Sequence, residues 1–236
     1  MAKGGGLPTG RSSPAEIEAF LGAAARVPSL MQVKGRLIFA IDATMSRGAT
    51  WDRASEIQSD MFDVAGSIGG LAVQLVWFRG RGEFEASEWT VTPAALGERM
   101  RRVSCRAGFT QLRRVLEHAA DEARQARIGA LVYVGDCFEE HHEAVTKAAA
   151  ALSLRGVPAF MFHEGEDPHA AYTFREVARL TKGVYASFSE GAAQQLRDLL
   201  KAAAVYAAGG EVALSEYGER MGGEVLRLAH AMRGDG

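Results

Sequence analysis

The segment Asp42-Ala43-Thr44-Met45-Ser46 places one carboxylate and two hydroxyls on alternate residues, directly after the apolar run Leu37 to Ile41. Alternation over a single turn lets three oxygens converge. Two more oxygens stand in comparable places. Thr110 lies in Gly108-Phe109-Thr110-Gln111-Leu112, ahead of a segment of helical period, and Asp136 directly follows the run Leu131 to Gly135. Taken singly, Asp42 or Thr110 is a turn residue or a helix cap, the ordinary work of Asp, Ser and Thr. Taken together, each at a strand end or a helix start, they form a cluster of oxygen donors where open parallel sheets gather their ligands.

These oxygens share one rim only if the chain folds as strands joined by crossover helices. Short apolar runs at 36–42, 71–78, 131–135, 157–162 and 184–188 alternate with longer stretches of helical period. That alternation predicts a three-layer αβα, doubly wound and mainly parallel sheet of Rossmann-like type. Ile57, Met61, Val64 and Ile68 fall on one helical face, as do Leu112, Val115, Leu116, Ala119 and Ala123, so both segments are expected to cover the sheet. After the turn Gly80-Arg81-Gly82, Phe84, Ala86 and Glu88 alternate with Glu83, Glu85 and Ser87, which predicts one antiparallel edge strand. Leu196, Leu199, Leu200 and Ala203 mark a closing helix over 191–207, ahead of Gly209-Gly210.

The order and spacing of Asp42-x-Thr44-x-Ser46, a later Thr110 and a still later strand-end Asp136 resemble the metal-ion-dependent adhesion site (MIDAS) of von Willebrand factor A-like (VWA) domains, of the intracellular bacterial type. Thr44 departs from that family's usual serine and keeps the hydroxyl. The resemblance covers the span from Arg36 to Tyr206. It implies a divalent cation, Mg²⁺ or Mn²⁺, held directly or through water by Asp42, Thr44, Ser46, Thr110 and Asp136. Mg²⁺ is hard, takes about six oxygens and gives up water reluctantly. Neutral hydroxyl ligands cancel little of its charge, so the ion keeps an affinity for an Asp or Glu supplied by a protein partner. The implied role is a non-catalytic adaptor, and family members of this type serve beside ATPases or chaperones.

The chain's 236 residues, 47% of them hydrophobic, suffice for one α/β domain with short additions. The expected division is a leader over 1–12, an N-terminal helix and linker over 13–35, the VWA-like domain over 36–207 and a helical extension over 208–236. Lys and Arg total 27 against 29 Asp and Glu, a formal charge of -2, so no electrostatic footprint for nucleic acid is present. Cys105 and Cys137 form no CxxC pair and follow no zinc spacing, and the N-terminus has no apolar export segment. Cytoplasmic residence and no membrane span are the expectation.

Other polar clusters lack the spacing their chemistry needs. The run Asp136-Cys137-Phe138-Glu139-Glu140-His141-His142, with His163, Glu164, Glu166, Asp167 and His169, supplies zinc-type donors, but no HExxH or Cys/His frame orders them. Glu139 and Glu140 are expected to meet the dipole of the helix that follows them, and 163–169 to form a polar loop above the sheet. The main alternative is a haloacid dehalogenase-like phosphatase with Asp42 as nucleophile. That chemistry wants an acid two residues on, where Thr44 stands. The other alternative is a metal-free adaptor of the same fold. Trp51 is expected to anchor a covering helix, Arg99, Arg101 and Arg102 to form a solvated face, and the cysteines to be thiols without an activating base.

Overall fold

The computed structural model describes residues 33–44, 48–189 and 192–234. The expected leader, the helix opened at Ser13-Pro14, and Ser46 lie outside the described residues. Within them, six strands form one sheet: β1 (Gly35–Asp42), β2 (Leu71–Arg79), β3 (Glu83–Ala86), β4 (Ala130–Gly135), β5 (Ala159–Glu164) and β6 (Val184–Phe188). Their order is β3-β2-β1-β4-β5-β6. All neighbours run parallel except β3, which pairs antiparallel with β2. The expected fold class is therefore what the chain adopts, with its antiparallel edge where the turn at Gly80-Arg81-Gly82 places it.

Period-2 alternation divides the strands between two cores. Leu37, Phe39, Ile41, Val73, Leu75, Val132, Val134, Phe160 and Phe162 face one layer. That layer is α1 (Gly48–Ile57), α2 (Ser59–Gly66), α3 (Pro93–Arg101), α7 (Ala193–Met221) and α8 (Gly223–Arg233). Ile38, Ala40, Val76, Phe78, Leu131, Tyr133 and Met161 face the other, made by α4 (Leu112–Gln125), α5 (His142–Ser153) and α6 (Pro168–Thr181). A buried side chain of this size contributes about 1.5–3 kcal/mol against exposure, so two cores fix the register of every central strand.

Three elements differ from the sequence expectation. The fifth strand occupies Ala159–Glu164 rather than 157–162, because Pro158 has no N–H for the ladder and the polar pair His163-Glu164 finds partners that let it be buried. The helical stretch after β1 divides at Gln58 into α1 and α2. The closing helix runs on to Met221, with its path turned at Gly210, whose φ of 72° and ψ of -163° are non-helical. Beyond it α8 buries Val225, Leu228 and Ala229 in the first core. Among the described residues no helix is long and apolar enough to cross a membrane.

Candidate metal centre

β1 is followed in the sequence by a strand on one side of it and has β4 on the other, so the gap at the carboxyl ends of β1 and β4 is the sheet's topological switch point. Open α/β sheets bind ligands there. Register pairs Ile41 with Val134, which brings Asp42 and the residues after Gly135 to this gap. Asp42 is fully buried, Thr44 and Thr110 are buried, and Asp136 is half-buried.

The first loop is held by short bonds. Ala43 N–H donates to Phe78 O at 3.0 Å, continuing the β1–β2 ladder by one step. Thr44 N–H donates to Asp42 Oδ1 at 2.8 Å, closing a turn of the Asx type on the carboxylate. The segment before Thr110 is tied to the same loop by Arg106 N–H, which donates to Ala43 O at 3.0 Å. Gly108 passes so close to Gly80 that a Cβ would lie 2.1 Å from its nitrogen. Only glycine permits that approach, and Phe109 N–H donates to Gly80 O at 3.2 Å to secure it.

Thr110 is in turn joined to the loop after β4. Glu139 N–H donates to Thr110 Oγ1 at 3.1 Å, while Thr110 N–H donates to Glu139 Oε2 at 3.4 Å. Glu140 accepts from Leu112 N–H and from Arg113 N–H, the latter at 3.1 Å. This corrects one expectation: Glu140 serves the N-terminus of α4, not that of the helix following it. Gln111 gives α4 no side-chain cap, so its exposed amides take the carboxylate that the fold brings near. Burial raises the Glu140 pKa, against the opposing pull of those amides, the Arg113 charge and the Thr110 hydroxyl.

The structure brings Asp42 and Asp136 together and adds a third residue, Cys137. Their candidate ligand atoms all lie within 4.8 Å of one another. Burial foremost, then the Asp136 charge, a hydrogen bond to Asp136, and the charges of Asp42 and Glu139 push the Cys137 thiol up to about 12. In the sequence Cys137 stands among the zinc-type donors of the run from Asp136 to His142, which no zinc frame orders. Beyond its position directly after a strand-end aspartate, nothing there singles it out as a partner of Asp42.

The histidines do not converge with this group. His163 is buried at the end of β5, with Nδ1 2.9 Å from the Tyr185 hydroxyl and Nε2 3.2 Å from the Asp136 carbonyl oxygen. Burial lowers its pKa. His142 Nδ1 lies 3.2 Å from Thr173 Oγ1 on α6. So 163–169 is not one polar loop: it comprises the end of β5, a short turn and the start of α6, where Asp167 Oδ1 accepts from Ala170 N–H at 2.7 Å. Glu164 accepts from the Thr50 hydroxyl and lies 3.9 Å from the Arg53 guanidinium, tying α1 to β5. Trp51 is buried, and its indole N–H donates to Met100 O at 3.0 Å, an anchor between α1 and α3.

No protein-family model and no curated protein matches this chain. Solved structures do. The SpRpn10 VWA domain superposes with a TM-score of 0.55 at 13% identity, over 75% of this chain and 98% of that one. The fold is the VWA fold. Human COPII-coat protein Sec24c shares it with a TM-score of 0.56 at 13% identity, over 75% of this chain and 32% of that chain. Proximal thread matrix protein 1 from the mussel byssus, solved with a zinc-occupied MIDAS motif, gives 0.53 at 15% identity, over 73% of this chain and 46% of that chain. At the gap between β1 and β4 the loops of this chain present two carboxylates and a thiol.

Proposed function

We propose that this chain is a cation-dependent protein-binding adaptor. A divalent ion sits on Asp42 and Asp136, supported by Thr44, Ser46 and Thr110, and an Asp or Glu of a partner protein completes its coordination. The observation carrying this reading is the convergence of the two carboxylates from different strands at the switch point of a VWA fold. Like charges in a buried position repel and cost desolvation, and a cation between them offsets both. The two carboxylates suit such an ion, and Thr44 and Thr110 stand on loops tied to the same gap. Bound there, the ion supplies positive charge with an affinity for an anionic partner group. Asp42 and Asp136 orient it, while the Thr44 and Arg106 backbone bonds hold the loops in place.

Binding is favoured over phosphatase chemistry because Asp42 is buried, accepts from the Thr44 backbone, and has a hydroxyl rather than an acid at the shuttle position. We place the protein in the cytoplasm, where reduced Cys105 and Cys137 are the normal state. There it would join an assembly, with an ATPase or chaperone complex as the class of partner.

The test uses protein stripped of metal with a chelator and a short peptide bearing one Glu. The peptide is expected to bind only after a divalent ion is restored, and its Glu→Gln form to bind far more weakly. Peptide binding indifferent to both chelator and Glu→Gln would overturn the adaptor mechanism.

A further inference from the structure

A hard-oxygen centre has no use for sulfur, yet Cys137 stands in the group. Its Sγ and one carboxylate oxygen each from Asp42 and Asp136 lie within 4.8 Å of one another. We propose that the centre prefers a thiophilic dication of the Zn²⁺ class to Mg²⁺, with Cys137 as its sulfur ligand beside Asp42 and Asp136. This inference rests on the reading above that the two aspartates hold a cation.

Donors to a single Zn²⁺ sit about 2.0–2.3 Å from it, so any two lie within roughly 4.6 Å of each other. The three candidate atoms lie within 4.8 Å of one another, close to that limit. Thiolate sulfur selects zinc and other soft or borderline ions, whereas carboxylates, carbonyls and water suit Mg²⁺ and Mn²⁺. Two carboxylates with one sulfur therefore tilt the choice away from an all-oxygen ion. The chain geometry makes the sulfur a fixed member rather than a visitor. Cys137 follows Asp136 out of β4, the strand paired with β1 beside Asp42, and it is half-buried. The nearest imidazole is no substitute, since both ring nitrogens of His163 already face the Tyr185 hydroxyl and the Asp136 carbonyl.

The test titrates the chelator-stripped full chain with Co²⁺ and then competes with Zn²⁺ and Mg²⁺. Expected are a sulfur-to-cobalt charge-transfer band in the near ultraviolet, its loss on adding equimolar Zn²⁺, and its persistence in equimolar Mg²⁺. The band should survive in Cys105→Ser and vanish in Cys137→Ser, whose circular dichroism stays unchanged. Loss of a mere partner of a metal ligand costs about 10- to 100-fold in affinity, so Cys137→Ser should bind Zn²⁺ at least about 10-fold more weakly. Co²⁺ bound without the band, or equal Zn²⁺ affinity in Cys137→Ser and the parent, overturns sulfur ligation and leaves the aspartate centre standing. A parent chain that takes up none of the three ions overturns both.

Discussion

At the scale of residues, the centre depends on side chains that serve neighbouring backbone as well as the site. Glu140 shows this, accepting from the first amides of α4 and so fixing the end of the Thr110 loop. Glu140→Ala should cost about 1 kcal/mol, the usual loss on removing an N-terminal cap. Urea denaturation reads that cost, and an unchanged midpoint would show that solvent caps α4 as well. The approach of Asp42 and Asp136 was legible in the sequence because carboxylates at strand ends announce themselves by type and position. That Cys137 joins them, and where Glu140 finds its partner, were not, since both depend on which loops meet across the sheet. Nothing within 29 residues of chain separation says that Thr110 and Glu139 exchange hydrogen bonds.

At the scale of elements, the apolar runs identified the central strands because strands buried on both faces must be almost continuously hydrophobic. The edge hairpin was equally plain from its alternation. Failures came where a polar residue was buried with a partner, as at His163, and where a helix outlasted its glycines, as in α7. The α7 backbone lies against the start of β4: a Cβ on Gly129 would stand 2.5 Å from the Ala207 carbonyl oxygen. Gly129→Ala must push helix and strand apart, at about 1–3 kcal/mol, the cost of overpacking a filled site. A melting temperature lower by several degrees is expected from differential scanning fluorimetry. No change would mean that α7 sits less tightly on the sheet than described.

At the scale of the whole molecule, two cores hold the sheet whose switch point is the proposed cation site, and stability should follow pH through the second core. Burial lowers the His118 pKa from its ordinary 6.5, against the weaker pull of Glu122 and Asp121. Its Nε2 lies 2.8 Å from Gln74 Oε1, and the Phe84 ring is 5.8 Å away, edge-on. Below pH 6.5 the unfolded chain binds a proton here that the folded chain resists. The stability complete above 6.5 is therefore lost as pH falls toward the lowered folded value. Thermal midpoints measured across that window should fall less steeply in His118→Gln than in the parent, and equal slopes would assign the loss to other groups. The central claim, that Asp42 and Asp136 hold a cation, is tested most directly by isothermal titration of chelator-stripped protein with Zn²⁺, Mn²⁺ and Mg²⁺. One equivalent of at least one ion should bind the parent and fail to bind Asp42→Ala and Asp136→Ala. Folded parent protein that takes up none of them, or variants that bind as the parent does, would contradict it.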